Sequence, residues 1–461
     1  METFGDSSVW STFHLITVLL VSLLVANMLK KAIPWLRQSL IPNSVLGGCM
    51  LIVVAGIYRA FTGEVLFDTG YFGGNGTAQL ELITYHCLAL GFIASSFKTK
   101  KEKMTRQRTV EIFNTGITTV STYLLQAVLG LGITIIAAKV ISGFFPAAGV
   151  LLPFGYGQGT GQALNYGGIY ESQFGFQGGK TFGLTIAALG FLSASIGGVF
   201  HLNLLKRRGI IKPHGEVAEK IRLEDVQGEN EIPLQESMDK LTVQVALVAV
   251  AYWLAFLMMH LLSLVLPGMK SVIFGFNFIL GVLAATLMKA VLQMLREKGF
   301  VKKEYTNDFL MTRTSNFCFD IMVVAGIAAI RLSELERFWG IMLILGVVGL
   351  VSTYWYNYRI AKALFPAYAE EQFLTMYGML TGTASTGIIL LREIDGAFET
   401  PAADNMVYQN FPAIVFGFPI MLLATLAPVK PALTLGILAV FFIVMNVILF
   451  RSKLFGKKKS L

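Results

Sequence analysis

Cysteine and histidine are scarce in this chain. The three cysteines, Cys49, Cys87 and Cys318, lie in apolar runs and are too few for a disulfide framework. The five histidines, His14, His86, His201, His214 and His260, are scattered without ligand spacing, which argues against a metalloenzyme. No Ser/His/Asp set stands out. The glycine-rich stretch Gly155 to Gly161 lacks the Lys-Ser/Thr ending of a phosphate loop, and no βαβ context supports a dinucleotide fold. An enzyme is therefore not expected. Charge is also short: Asp, Glu, Lys and Arg make up 14% of the 461 residues, against about 25% in soluble domains. The formal net charge of +9 comes from lysines and arginines at the ends of apolar runs. Membrane topology accounts for them there, and no nucleic-acid partner is expected.

What the chain has instead is apolar length. It is 54% hydrophobic, with a mean hydropathy of +0.64. A helix crosses the hydrocarbon in about 20 mostly apolar residues, and eleven such runs occur: 10–29, 45–60, 80–97, 112–144, 182–205, 241–266, 271–292, 309–330, 338–358, 408–426 and 433–450. This predicts an all-α polytopic membrane protein. The first run follows Glu2 and Asp6 rather than a basic segment, so it reads as a retained helix and not as a removable signal.

Basic clusters set the topology. Lys30, Lys31 and Arg37 follow the first run, Lys98 to Arg108 the third, Lys206 to Arg208 the fifth, Arg296 to Lys303 the seventh, and Lys457 to Lys459 end the chain. All belong in the cytoplasm, which places the N-terminus outside and the C-terminus inside. Ser44-Val-Leu-Gly47, Gly91-Phe-Ile-Ala94 and Gly159-Thr-Gly161 recur in order as Ser271-Val-Ile-Phe274, Gly326-Ile-Ala-Ala329 and Gly382-Thr-Ala384 at near-constant separation. Five spans per half is an odd number, so the second copy enters from the opposite side, an inverted-topology repeat. The expected organisation is a first repeat over 1–205 with a re-entrant loop at about 146–171, a charged cytoplasmic linker over 206–240, a second repeat over 241–427 with a re-entrant loop at about 368–395, and an additional C-terminal helix with a basic tail over 428–461.

Two polar, glycine-laden stretches interrupt the apolar pattern at corresponding places: Phe154-Gly-Tyr-Gly-Gln-Gly-Thr-Gly-Gln162 and Tyr377-Gly-Met-Leu-Thr-Gly-Thr-Ala-Ser-Thr-Gly387. Non-helical backbone at membrane depth lines a cavity or is buried in protein, so the pair points to a transport site. The topology brings one loop in from outside and the other from the cytoplasm, to meet near the midplane. A half-helix N-terminus carries roughly +0.5 of an elementary charge and suits a substrate carboxylate. The expected substrate contacts are Gln158, Gly159, Thr160, Gly161, Gln162 and Asn165 from the first loop, and Thr381, Gly382, Thr383, Ser385 and Thr386 from the second, with Arg392 as counter-charge. The expected sodium ligands are Asp320, Asn316, Asn114 and Ser385. Asp320 inside the eighth run costs about 2.5–3.5 kcal/mol if unpaired, which marks it for cation coupling; the alternative is a wetted carboxylate near the helix end. Proton coupling is a variant of this reading, and a channel with Gly155-Tyr-Gly157 as its filter is another.

The run Gly157-Gln-Gly-Thr-Gly-Gln-Ala163, with Tyr166, Tyr170-Glu171, Phe174-Gly175 and the glycine-rich helix from Phe182 to Gly198, resembles the bacterial sodium/glutamate symporter family. Ile41-Pro42 with Val45, Gly47 and Gly48 is similar to that family's second helix, and the resemblance extends from residue 10 to about 427. Gln158 stands where the family loop usually has histidine. The resemblance implies a dimeric secondary transporter of the inner membrane with inverted repeats, opposing re-entrant loops and an elevator-type motion. It also implies sodium-coupled uptake of glutamate or a related small carboxylate.

Overall fold

The computed structural model describes residues 4, 7–97, 105–209, 231–233, 238–267, 270–275, 277–331, 338–395, 399–451 and 453. Most of the expected linker, the basic tail and the side chain of Ser385 lie outside these. Helices dominate, as the composition predicts: α1 Ser7–Ala32, α2 Pro34–Gln38, α3 Asn43–Thr62, α4 Gly76–Ser96, α5 Arg106–Val140, α6 Leu151–Phe174 and α7 Gly179–Arg207. After the linker come α8 Lys240–Val265, α9 Lys270–Gly275, α10 Asn277–Glu297, α11 Asp308–Ala328, α12 Trp339–Leu364, α13 Ala369–Thr381, α14 Ala384–Arg392, α15 Ala402–Tyr408, α16 Asn410–Leu426 and α17 Pro431–Leu449.

Each of the eleven apolar runs coincides with a helix or a helix pair. Among the described residues, nine helices are long and apolar enough to cross a membrane, and the pair α15 and α16, bent by 50°, raises this to ten. The eighth expected span, α11, is outside that set because it carries Asp308, Arg313 and Asp320 among several hydroxyl and amide side chains. The chain is a multi-span membrane protein.

The helices fall into two compact units, neither of which is a half of the sequence. The first comprises Met1–Leu20, Glu64–Glu102 and Val217–Gly326. In it α4, α8, α10 and most of α11 pack together. Asp239 starts α8 by accepting from the backbone N–H groups of Leu241 (2.9 Å) and Thr242 (3.3 Å), an N-cap that satisfies otherwise orphaned donors. Lys240, 1% exposed, is neutralised by Glu231 at 2.7 Å, and Glu231 also accepts from Asn307. Ser315 of α11 donates to Gly91 O of α4 at 2.9 Å.

The second unit comprises Val21–Gly63, Lys103–Glu216 and Ile327–Leu461. Its spine is α7, where Gly183, Gly190 and Gly197 recur every seven residues and so share one face. Small residues at that spacing let neighbouring backbones come close. At Gly132 on α5, by contrast, an added methyl would meet nothing within 4 Å. Gly132→Ala removes only helix-interior flexibility, worth up to about 1 kcal/mol, so its melting temperature should equal or exceed that of the parent in a detergent thermal-shift assay.

Candidate functional site

Both sequence interruptions are breaks in helices. In α6 the break falls on Gly159, at φ 79° and ψ −170°, a conformation essentially restricted to glycine because any Cβ is strained there. The chain folds back at this point. The rings of Phe154 and Tyr166 stack with centroids 4.0 Å apart, whereas a straight helix would separate the two residues by about 18 Å along its axis. The second break, at Gly382 (φ −138°, ψ −106°), joins α13 to α14. These two helices also fold back on each other, since a Cβ on Gly378 would lie 2.8 Å from Gly387 Cα.

The two hairpins converge midway along α7. The limb after Gly159 lies on the N-terminal part of α7, where Gly183 faces the carbonyl of Ala163, while α13 lies on the C-terminal part, where Gly197 faces the Tyr377 hydroxyl. Between them a Cβ on Gly190 would be 2.5 Å from Thr381 O and 3.2 Å from Tyr156 Cα, so both tips touch this one residue. Ser193, one turn on, joins them by hydrogen bonds. Its hydroxyl pairs with Tyr156 Oη of the first hairpin at 2.8 Å, and its carbonyl accepts from Tyr377 Oη of the second at 2.7 Å. Tyr156 Oη also donates to Gly346 O of α12 at 2.6 Å.

Helix α5 flanks both tips. Tyr123 donates to Gly157 O at 3.0 Å and packs against Met376, Met379 and Leu380. Gln126 donates to Leu380 O at 3.0 Å. Further from the tips, Tyr166 and Tyr170 donate to the carbonyls of Met421 and Ala424 at 3.0 and 2.7 Å. Glu370 at the start of α13 accepts from His201 Nε2 at 2.8 Å and Lys362 Nζ at 2.6 Å.

At the first tip Gly159, Thr160, Gly161 and Gln162 are buried and Gln158 is half-buried. The Gln162 side-chain Oε1 accepts from Asn165 at 3.2 Å, which leaves Nε2 of this 1%-exposed residue as a buried donor with no acceptor. An unpaired buried N–H is costly unless a ligand or water takes it, and glycine at 159 has no side chain with which to cap the limb that follows. The second tip is different: Thr383 Oγ1 accepts from Thr386 N at 3.3 Å and pairs with the Thr386 hydroxyl at 3.2 Å, so α14 caps itself. The Thr381 hydroxyl is turned back to Tyr377 O at 2.6 Å.

Within the same unit, Arg392 and Asn114 lie away from the tips. Arg392 is exposed at the far end of α14, about 13 Å along the axis from Thr383. Asn114 accepts from Arg451 Nη1 at 3.0 Å, near the end of α17. Asn316 and Asp320 are exposed on α11 in the first unit. Gly155 to Gly157 are helical, and Gly157 O is taken by Tyr123, not the extended backbone of a carbonyl filter. Tyr156, Ser193, Tyr377, Tyr123 and Gln126 were not among the expected site residues. Only Gln126 had a visible signal, as a lone amide in the apolar stretch 123–133.

Many apolar helices around a buried polar centre of two broken helices define a polytopic membrane protein with the anatomy of a solute carrier. The chain belongs to the sodium/glutamate symporter family, whose model matches residues 9–366. The family is one of sodium-coupled transporters. Its match ends before α13, so the second hairpin lies beyond the matched residues. No curated protein and no solved structure is matched by the chain.

Proposed function

We propose that the chain takes up glutamate or a related small carboxylate together with sodium, holding the cargo where the two hairpins converge on α7. The observation that carries this reading is the buried, unaccepted Nε2 of Gln162, in the first turn of the limb that follows the break at Gly159. A buried donor near a helix start suits an anion. Gln158, Thr160, Gly161 and Asn165 complete the first wall, and Gly382, Thr383, Ser385 and Thr386 the second. The hairpins are read as re-entrant loops arriving from opposite leaflets of an inverted repeat, since five helices (α1–α5 and α8–α12), a broken helical hairpin and a closing element (α7, and the bent pair α15 and α16) follow in the same order twice before α17. With both hairpins in one compact unit, an elevator-type movement of that unit is the natural form of alternating access. A homodimer in the inner membrane, N-terminus outside, is part of the same reading.

Sodium-gradient-driven uptake of labelled glutamate and of a dicarboxylate panel into proteoliposomes tests it. Uptake that persists without sodium and collapses with the pH gradient would replace sodium by protons. Gln162→Leu removes a donor to a charged group, worth about 1.5–3 kcal/mol. The half-saturating substrate concentration should therefore rise about ten- to a hundredfold, with the protein still monodisperse.

A further inference from the structure

The tips account for an anion, but a second buried polar layer of the same unit has the opposite character. Gln126 of α5 is 0% exposed and Asn357 of α12 is 2% exposed. Gln126 Nε2 donates to Thr353 Oγ1 at 2.8 Å and to Leu380 O at 3.0 Å. Asn357 Nδ2 donates to Thr353 O at 3.0 Å and to Thr122 Oγ1 at 3.3 Å. A backbone carbonyl can only accept, so the contacts to Leu380 O and Thr353 O fix which end of each amide is nitrogen. The other ends, Gln126 Oε1 and Asn357 Oδ1, are buried acceptors with no donor. Thr353 ties the two amides together, one through its hydroxyl and one through its carbonyl. Leu380 lies in the last turn of α13, and the end of a helix carries a partial negative charge of roughly half an electron.

Orphaned neutral oxygens beside a helix C-terminus are an environment for a monovalent hard cation. Among the described residues no group of three or more His, Cys, Asp or Glu could hold a metal ion, so neutral oxygens must supply the ligands. We infer that sodium binds between α5 and α12 on Gln126 Oε1 and Asn357 Oδ1, beside Leu380 and Thr353, one residue from the second hairpin's tip. The inference rests on the sodium-coupled reading and uses none of the ligands expected from the sequence. It also gives coupling a route: an ion in this layer fixes the Gln126 contact to Leu380 O, and so the tip that closes on the cargo.

Purified full-length protein titrated with sodium chloride against choline chloride at constant ionic strength tests the site, with melting temperature and equilibrium binding of radioactive sodium as readouts. The parent should melt higher as sodium rises, because a ligand of the native state stabilises it. Gln126→Leu and Asn357→Leu should each weaken apparent sodium affinity at least tenfold; loss of their donors to Leu380 O, Thr353 and Thr122 lowers melting in choline, so each variant's response is read as the sodium-induced shift from its own choline baseline. Parental sodium response in both variants would mean that these oxygens hold only water, and would overturn the site while leaving sodium coupling intact. A parent that neither responds to sodium nor shows sodium-driven uptake would overturn both. If a leucine variant does not purify as a monodisperse species, Gln126→Ala and Asn357→Ala carry the same expectation and the same refutation.

Discussion

Gly159→Ala should nearly abolish uptake and lower the melting temperature. The native backbone at this position, φ 79° and ψ −170°, costs a residue with a Cβ about 1–3 kcal/mol. The chain can relieve that strain only by rotating toward a helical or extended conformation, which would swing the limb carrying Thr160 to Asn165 off α7. Each 1.4 kcal/mol is a factor of ten in an equilibrium, so a tip that must be re-formed for every turnover should leave at most about a tenth of the parental rate. The checks are initial uptake rate in proteoliposomes and melting temperature in detergent. A variant with parental values in both would show that the break at Gly159 is not needed for transport.

The second large effect should come from Gly190→Val. This residue is fully packed against the second tip through Thr381 O and against the first through Tyr156. Neither neighbour can yield cheaply: one is backbone, and the other is a tyrosine held by Ser193 and Gly346. Overpacking of this kind costs typically 1–3 kcal/mol, and here the relief is to push the hairpins apart. Substrate-dependent thermal stabilisation should be lost along with uptake. Gly132→Ala, in open space on α5, serves as the comparison, and equal behaviour of the two variants would refute the close approach at Gly190.

The helices and the two breaks were legible because both are written locally. An apolar run of about 20 residues can do little but form a helix in lipid, and clusters such as Gly155 to Gly161 forfeit helix propensity where a break is needed. What was not legible depends on pairing across long separations. Tyr156, Ser193 and Tyr377 look like ordinary residues of apolar helices until folding brings them together, and Ser193 and Tyr377 are 184 positions apart. Gln126 and Leu380 are 254 apart, and nothing local to either announces the other. Arg392 was drawn to the site by its charge alone, although nine helical residues of α14 carry it away from the tip.

The double grip on Ser193 has a consequence for how such a carrier could be blocked. One hairpin holds the serine by its hydroxyl and the other by its carbonyl, so a wedge under either tip strains a knot common to both. Under the proposed arrangement of hairpins from opposite leaflets, a small molecule lodged beneath one tip would disturb the other through this single residue.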